Sequence, residues 1–224
     1  MSLAPADHPA GDTIGQGVDP APRVNDPEAG RRSRKKQRTR DDLLAAGDAL
    51  FSTQGFEETT TTDIAERADV SQRTLFRHFP TKEAVLYGDM DDARLQLREA
   101  LAARPIGEPI LLTVRTSLLS LAEDHERNSA RRLMQARLAA TSPTVQAHSR
   151  AVVQASWERE IIAAVAVQLA VDPMTDPRPE LVAGAAMSAV RIAVRQWTAS
   201  NGQADFMTLM ANALDAIPAL ADLA

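Results

Sequence analysis

A short polar cluster in the first half of the chain carries side chains of the types that recognise DNA bases. In the stretch SQRTLFR, which begins at Ser71, a hydroxyl residue is followed by an amide, a guanidinium and a second hydroxyl. Gln72 can pair bidentately with adenine and Arg73 with guanine, while Thr74 offers a hydroxyl and a methyl group. A helix built only for packing would carry a wider apolar stripe. The cluster therefore predicts a helix that is docked on one side and presented to DNA on the other.

Two short helices joined by a tight turn must position this cluster. The first is predicted over residues 61–68, with Thr60 as its N-cap and Asp63 at the capping-box position. The second begins after Ser71, a good N-cap, and ends by Pro80. Such a pair forms a helix-turn-helix, in which the first helix crosses the DNA backbone and the second enters the major groove.

Apolar residues around the cluster predict how it is held. Leu75 and Phe79, four residues apart, should lie on the docked face together with Val70 from the turn. An earlier helix is predicted over about residues 37–54, and it should stop at Gly55, because glycine favours the left-handed end of a helix. These helices together would form a small DNA-binding domain.

A basic run precedes this predicted first helix. Residues 31–40 contain seven arginines and lysines. The run could act as a flexible arm on the DNA backbone or in the minor groove, or it could simply be a solvated charged segment. The residues predicted to contact DNA are Arg38, Arg40, Thr60, Thr61, Thr62, Ser71, Gln72, Arg73, Thr74, Phe76, Arg77, His78 and Lys82.

The charge of the chain is distributed unevenly, although its total is acidic. The 224 residues carry 25 Lys and Arg against 30 Asp and Glu, which gives a net charge of −5. Residues 31–82 hold eleven basic and eight acidic residues, whereas residues 83–224 hold thirteen basic and seventeen acidic ones. Residues 1–30 are acidic as well. The one positive part therefore contains the polar cluster, which localises electrostatic attraction to DNA there.

The composition disfavours several other classes of protein. The chain has no cysteine, which excludes disulfides, thiolate metal sites and a thiol nucleophile. Its four histidines show no metal-ligand spacing, and no phosphate loop or nucleophile elbow occurs, so we expect neither an enzyme nor a cofactor. No apolar run reaches the roughly 18 residues of a membrane span, and no secretion signal is found. We therefore expect a cytoplasmic protein that does not bind membranes.

The pattern of the whole chain predicts an all-α fold with two domains. Strand patterns are scarce, and aromatic residues make up only 4% of the chain. We expect a disordered tail at 1–30, the basic arm and helix-turn-helix domain at 31–82, and a larger helical domain for ligand binding and dimerisation at 83–224. A fourth, long helix capped by Thr81 should end before Pro105. Further helices are predicted near 109–126, 128–140, 144–171, 180–199 and 204–217.

Residues 38–86 resemble the DNA-binding domain of the TetR family of one-component transcriptional regulators. The resemblance is carried by Gly55-Phe56, Thr60-Thr61, Asp63-Ile64-Ala65, Ala68, Val70-Ser71, Thr74-Leu75, His78-Phe79 and Thr81-Lys82-Glu83. It implies an all-α homodimer that binds a palindromic double-stranded operator, with a small-molecule effector in the C-terminal domain and the last two helices at the dimer interface. Asp69, Arg73 and Phe76 depart from the family pattern, which implies a different operator. The stretch SQRTLFRHFPTK is also similar to an actinobacterial-type subgroup, some of whose members respond to acyl-CoA thioesters.

The helices after Thr81 should enclose a pocket, as helix bundles commonly do. The predicted lining residues, for a hydrophobic or acyl-CoA-like effector, are Met134, Arg137, Trp157 and Arg191. Each has an alternative reading, because tryptophans are more often core or interface residues and arginines more often lie at the surface or pair with a carboxylate. His125 and His148 are interpreted as ordinary surface or half-buried histidines.

Small and apolar residues at helical spacing on the last two predicted helices suggest a dimer interface. The set is Ala183, Ala186, Met187, Val190, Val194, Phe206, Leu209, Met210 and Ala213. Small residues permit close approach of helices, which suits an isologous four-helix contact between two protomers. Burial of the same faces inside the monomer is the alternative.

Together these features predict a sequence-specific DNA-binding regulator. We expect a repressor that leaves its operator when a ligand in the C-terminal domain tilts the fourth helix and changes the separation of the two recognition helices. The alternative is a helical small-molecule-binding or interaction protein that does not read DNA.

Overall fold

The computed structural model describes residues 27–219, apart from the side chains of residues 27–29 and 122, and every regular element in that range is helical. The helices are α1 (Pro27–Thr53), α2 (Thr61–Arg67), α3 (Gln72–His78), α4 (Lys82–Leu86), α5 (Met90–Ala102), α6 (Ile110–Leu119), α7 (Ala122–Arg127), α8 (Ser129–Thr141), α9 (Pro143–His148), α10 (Ala155–Leu169), α11 (Arg178–Ala199) and α12 (Phe206–Ala219). A π-helical segment, Ser149–Gln154, joins α9 to α10. The all-α prediction is confirmed.

The first helix begins at Pro27, and not near Gln37 as predicted. The basic run at 31–40 is therefore part of α1 and not a flexible arm ahead of it. Arginine, lysine and glutamine are good helix formers, and proline is favoured at the first helical position, which accounts for the earlier start. The predicted tail lies outside the described residues up to position 26, and residues 27–30 belong to the helix. The chain divides after Arg38 into two units, and of the first only residues 27–38 are described.

The helix-turn-helix forms as its local sequence predicts. The Thr60 side chain accepts a hydrogen bond from the backbone N–H of Asp63 at 3.1 Å, and the Asp63 carboxylate accepts one from the Thr60 N–H at 2.9 Å. This reciprocal capping box fixes the start of α2. Ser71 caps α3 by accepting from the Thr74 N–H at 3.2 Å. Asp69, in the turn, adopts the left-handed conformation with φ of 54°.

A first apolar core holds this pair of helices. Leu43 from α1, Ile64 from α2 and Leu75 from α3 are fully buried there, and Phe79 is nearly so. The predicted docked face of α3 is thus confirmed. The core also includes Val145 of α9, so α9 takes part in the core that holds these helices.

The fourth helix is not continuous, in contrast to the prediction. Thr81 caps α4 as expected, but α4 ends at Leu86 and α5 starts only at Met90. The intervening Gly88 is packed so closely that an added Cβ atom would lie 2.6 Å from the ring of Phe79. Its carbonyl accepts a hydrogen bond from Arg40 at 2.5 Å. The predicted helix at 109–126 is likewise divided, between α6 and α7.

A second apolar core organises the C-terminal helices α5, α6, α10, α11 and α12. Leu97, Ile161, Val165 and Ala193 are fully buried at its centre, and Leu118 is nearly so. Within residues 27–219 no helix combines the length and the apolar character needed to cross a membrane.

Several of the residues assigned to dimerisation belong to this second core, and their role in a dimer interface stays a prediction. Ala183, Ala186, Met187 and Met210 are 1–5% exposed in the single chain. The others, Val190, Val194, Phe206, Leu209 and Ala213, are partly buried. The side of α11 that stays accessible carries Leu181, 68% exposed, and Ile192, 40% exposed. An apolar pattern marks a buried face, but it does not distinguish burial by the same chain from burial by a second copy.

Candidate DNA-reading surface and ligand cavity

The outward side of α3 presents four side chains in a row. Gln72, Arg73 and Arg77 are exposed, and Phe76 is exposed to 48%. These residues follow the Ser71 cap and are held in place by the buried Leu75 and Phe79 on the opposite side of the same helix. The surface therefore combines an amide, two guanidinium groups and an aromatic ring, and Gln72 and Arg73 lie at the N-terminal end of the helix, which is the end that meets base edges in a helix-turn-helix.

Threonines at the start of α2 contact the amide of Gln72. Its Nε2 donates to the Thr62 hydroxyl at 2.7 Å and lies 3.4 Å from that of Thr61. An amide nitrogen carries two N–H groups, so one N–H and the amide oxygen remain for a bidentate pair with adenine. The Thr60 hydroxyl is used in the capping box, and the Thr74 and Ser71 hydroxyls lie 3.0 Å apart.

Two predicted phosphate-binding cations are engaged inside the protein. Lys82 donates to the carbonyl oxygen of Phe56 at 2.6 Å and lies over the ring of that residue at 4.1 Å. Arg40 donates to Gly88 and lies over the ring of Phe79 at 4.7 Å. Both side chains thus fasten the domain, and their contact with DNA stays a prediction. Two further residues that were predicted to contact DNA lie elsewhere. Arg38 is exposed, and His78 is half-buried at the end of α3.

A cavity of about 700 Å³ lies among the C-terminal helices. This volume is within the range of pockets that bind small ligands. Its apolar wall includes Leu118, Leu121, Trp157, Met187, Val190, Trp197, Phe206 and Met210. Arg150, Arg191 and Arg195 also line it, and all three are exposed. None of the three forms an ion pair within residues 27–219, so the open side of the cavity is cationic.

Two of the four predicted ligand residues, Trp157 and Arg191, line this cavity, and two do not. Met134 packs against the first core, where its sulfur accepts a hydrogen bond from Ser52 at 3.1 Å. Arg137 is exposed and donates to Asn201 at 3.1 Å. The reason is the register of α8, whose cavity-lining positions are 132, 135, 136, 139 and 140.

His125 also lines the cavity, although no pattern in the sequence distinguished it from an ordinary surface or half-buried histidine. Its ring stacks on Phe206 with centroids 3.8 Å apart and meets the edge of Trp197 at 4.8 Å. Burial lowers the pKa of His125 to about 4, an effect that the positive charge of Arg132 reinforces and that Asp124 opposes. The imidazole is therefore neutral near pH 7.

An ion-pair cluster, which we call the α8 clamp, connects α8 to the helices of the first core. It consists of Arg131, Arg132 and Gln135 on α8 with Asp89, the last residue of the short link between α4 and α5. Arg132 pairs with Asp89, and Arg131 Nε lies 3.1 Å from the same carboxylate. Gln135 donates to Asp89 at 2.9 Å. Arg131 also pairs with Asp48 on α1, and burial raises the pKa of that carboxyl.

The α8 clamp also contacts the backbone at the end of α4 and the wall of the cavity. Arg131 donates to the carbonyl oxygens of Val85 and Leu86, both at 3.0 Å, and Gln135 donates to that of Leu86 at 2.8 Å. On the cavity side, Arg132 pairs with Asp124 at 3.0 Å. Arg132, Gln135 and Asp124 all line the cavity, so this cluster physically links the cavity to α4.

The fold and this surface define an all-helical DNA-binding protein with a helix-turn-helix and a separate ligand-sized cavity. Comparisons with known proteins agree. Residues 43–87 match the family described as bacterial regulatory proteins, tetR family, and residues 108–221 match the MftR C-terminal domain. The chain belongs to the TetR family, and it is a DNA-binding transcriptional regulator.

Individual relatives support the assignment. The chain is 32% identical over 176 residues to the HTH-type transcriptional regulator TcmR of Streptomyces glaucescens, covering 75% of this chain and 76% of the relative. It is 28% identical over 184 residues to MftR of Mycobacterium tuberculosis, covering 76% and 85%. The crystal structure of Thermus thermophilus FadR, a TetR family repressor in complex with lauroyl-CoA, superposes with a TM-score of 0.52 at 24% identity, covering 79% of this chain and 92% of that one.

Proposed function

We propose that this regulator is a homodimeric repressor that releases a palindromic operator when an amphipathic anion occupies its C-terminal cavity. The proposal that a ligand controls DNA binding rests on the α8 clamp. Arg132 and Gln135 line the cavity and also hydrogen-bond residues at the end of α4 and in its link to α5. The regulator acts by binding DNA and ligand and not by catalysis. It does so in the cytoplasm, where its operator is accessible.

The DNA-reading part rests on the exposed side chains of α3. In this proposal Gln72 and Arg73 contact base edges, with Thr74 nearby, and Arg77 contacts phosphate. In a symmetric dimer the two copies of α3 must meet major grooves about 34 Å apart, which requires a palindromic site. Thr61 and Thr62 at the start of α2 orient Gln72 before DNA is bound.

The ligand class follows from the chemistry of the cavity wall. Its interior is apolar and aromatic, which favours a hydrocarbon chain or a ring system. The three unpaired arginines at its open side, Arg150, Arg191 and Arg195, favour an anionic group. The fold relative from Thermus thermophilus was crystallised with lauroyl-CoA, which has both parts, so lauroyl-CoA is a suitable first probe.

We place the dimer contact on the accessible side of α11. Leu181 and Ile192 are exposed there, and Gly184, Ala185 and Ser188 lie between them at helical spacing. Small residues at these positions allow two helices to approach closely. This face is proposed in addition to the set that the sequence pattern favoured.

Selection of bound fragments from random DNA, followed by titration at several salt concentrations, tests the proposal. An enriched palindrome is the expected result, and Arg73→Ala should relax selectivity at one base position by roughly 1–3 kcal/mol while the protein stays folded. Arg67→Ala, an exposed arginine of α2, is the matched control for loss of one charge. Salt-sensitive binding without any enriched sequence would overturn the DNA-reading part.

A further inference from the structure

The imidazole of His125, in the wall of the cavity, has a nitrogen without a hydrogen-bond partner. Nε2 of His125 is buried and makes no hydrogen bond with any residue in the range 27–219. The neighbouring Asp124 and Arg132 are already paired with each other. A buried polar atom without a partner is costly, whereas a phenyl ring in the same place would stack equally well on Phe206. The imidazole nitrogen therefore requires an explanation other than packing.

We propose that His125 is a specificity-determining residue of the cavity, and that its Nε2 hydrogen-bonds an uncharged oxygen, a hydroxyl or a carbonyl, set in the apolar body of the ligand. This rests on the proposed function, in which the cavity binds an amphipathic anion. The group that it reads is uncharged, because His125 is itself neutral and the nearest charges neutralise each other. A neutral imidazole can donate or accept at this position, which suits a hydroxyl in particular.

The surroundings define how the ligand is oriented. His125, Trp197 and Phe206 come from three different helices and form a contiguous aromatic cluster, with Trp197 and Phe206 centroids 5.7 Å apart. The arginines at the open side receive the anionic group. The aromatic cluster would then surround the apolar body of the ligand, and within this cluster His125 offers a hydrogen bond to a polar oxygen. The cavity would thus select ligands that carry an anionic group and a second, uncharged polar group, with an apolar segment between them.

The test compares two probes that differ by one oxygen, dodecanoate and 12-hydroxydodecanoate. Their flexible chains allow the anion to bind at the arginines while the terminal hydroxyl reaches His125. Both tryptophans of the chain, Trp157 and Trp197, line the cavity, so intrinsic fluorescence reports binding directly. Wild type, His125→Phe and His125→Gln are titrated with each probe, and circular dichroism verifies that each variant is folded.

We expect the hydroxylated probe to bind wild type at least as tightly as dodecanoate. His125→Phe should lower the affinity for the hydroxylated probe, relative to that for dodecanoate, by about tenfold or more, because the hydroxyl is then buried without a partner. His125→Gln keeps a hydrogen-bonding group and should retain part of the preference. His148→Phe removes an imidazole that does not itself line the cavity, although it stacks on the wall residue Tyr87, and it should not change the ratio of the two affinities.

Equal ratios of the two affinities in wild type and His125→Phe would overturn the inference, since they would mean that water satisfies Nε2. If wild type binds neither probe, the assignment of an amphipathic anion and this inference fail together. Selection of an operator palindrome by the same protein would show that the DNA-reading function stands regardless.

Discussion

Arg132→Gln removes the charge at the centre of the α8 clamp, and its effect on stability can be worked out from the contacts. The guanidinium is only 8% exposed and serves two carboxylates, those of Asp89 and Asp124, each with a side chain 15% exposed. Asp89 keeps Arg131 and Gln135 after the change, whereas Asp124 loses its ion-pair partner. Breaking a buried pair costs about 3–5 kcal/mol, and the remaining contacts of Asp89 place this case at the lower end. For a chain of this size a loss of about 3 kcal/mol lowers Tm by roughly 6–12 °C.

The same substitution should weaken operator binding, because the α8 clamp holds the end of α4 from which the helix-turn-helix is positioned. Couplings of this kind amount to about 1–3 kcal/mol, so operator affinity should fall by roughly 5–150-fold. Fluorescence anisotropy with the selected operator, at one salt concentration and well below the Tm of the variant, measures this loss. Calorimetry on the same samples gives the Tm.

Arg94→Gln supplies the control, since it breaks a partly buried ion pair that does not touch α4. Arg94 pairs with Glu160, and the side chains are 27% and 15% exposed. Its Tm should fall, while its operator affinity should stay within about twofold of wild type. Wild-type operator affinity in Arg132→Gln would refute the coupling. An equal loss in Arg94→Gln would show that destabilisation alone accounts for the effect.

Three further predictions concern packing, assembly and pH. Gly88→Ala should destabilise the protein by about 1–3 kcal/mol in chemical denaturation, because the new Cβ atom would lie 2.6 Å from Phe79 and 2.8 Å from Leu44. Leu181→Glu, on the proposed dimer face, should shift the protein toward monomer in sedimentation velocity. His125 has a pKa lowered from 6.5 to about 4, so the unfolded chain binds more protons between these values and stability should rise with pH across that window. His125→Phe should show a smaller gain in unfolding free energy between about pH 5 and about pH 7.5.

Matched variants separate these effects from general damage. At Gly30, in α1, the nearest atom to an added Cβ is 3.9 Å away, so Gly30→Ala should not destabilise the protein. Leu112→Glu places a charge at a 44%-exposed leucine of α6 and should leave the dimer intact. Equal dissociation in both glutamate variants would contradict the proposed face. Parallel pH profiles of wild type and His125→Phe would contradict the assigned titration.

Local sequence determines the helix-turn-helix well, because its signals act over three or four residues. The capping box of Thr60 and Asp63 and the Ser71 cap could both be predicted for this reason. The break at Gly88 could not, because it depends on Phe79 and Arg40, which approach from other helices.

The C-terminal domain was less predictable because its helices bury more than one side. On α8, Met134 packs against the first core, whereas Arg132 and Gln135 line the cavity. Polar side chains are therefore buried at positions where a simple amphipathic pattern would place apolar ones. For the small residues of α11, the sequence predicts burial but does not predict which surface covers them. Ala183 and Ala186 suit close helix packing in either setting, and only the tertiary structure assigns them to the chain's own core.

The π-helical segment at Ser149–Gln154 has a consequence for how relatives of this protein can diverge. A π turn holds one residue more than an α turn, so a single deletion there would restore a regular helix without opening a gap in the chain. The flanking helices α9 and α10 would keep about the same relative orientation, because the π turn itself accommodates the extra residue, while the side chains within the turn change register. Ser149, Arg150, Val153 and Gln154 line the cavity. A change of chain length by one residue could thus exchange the side chains that meet the ligand, without any substitution among them.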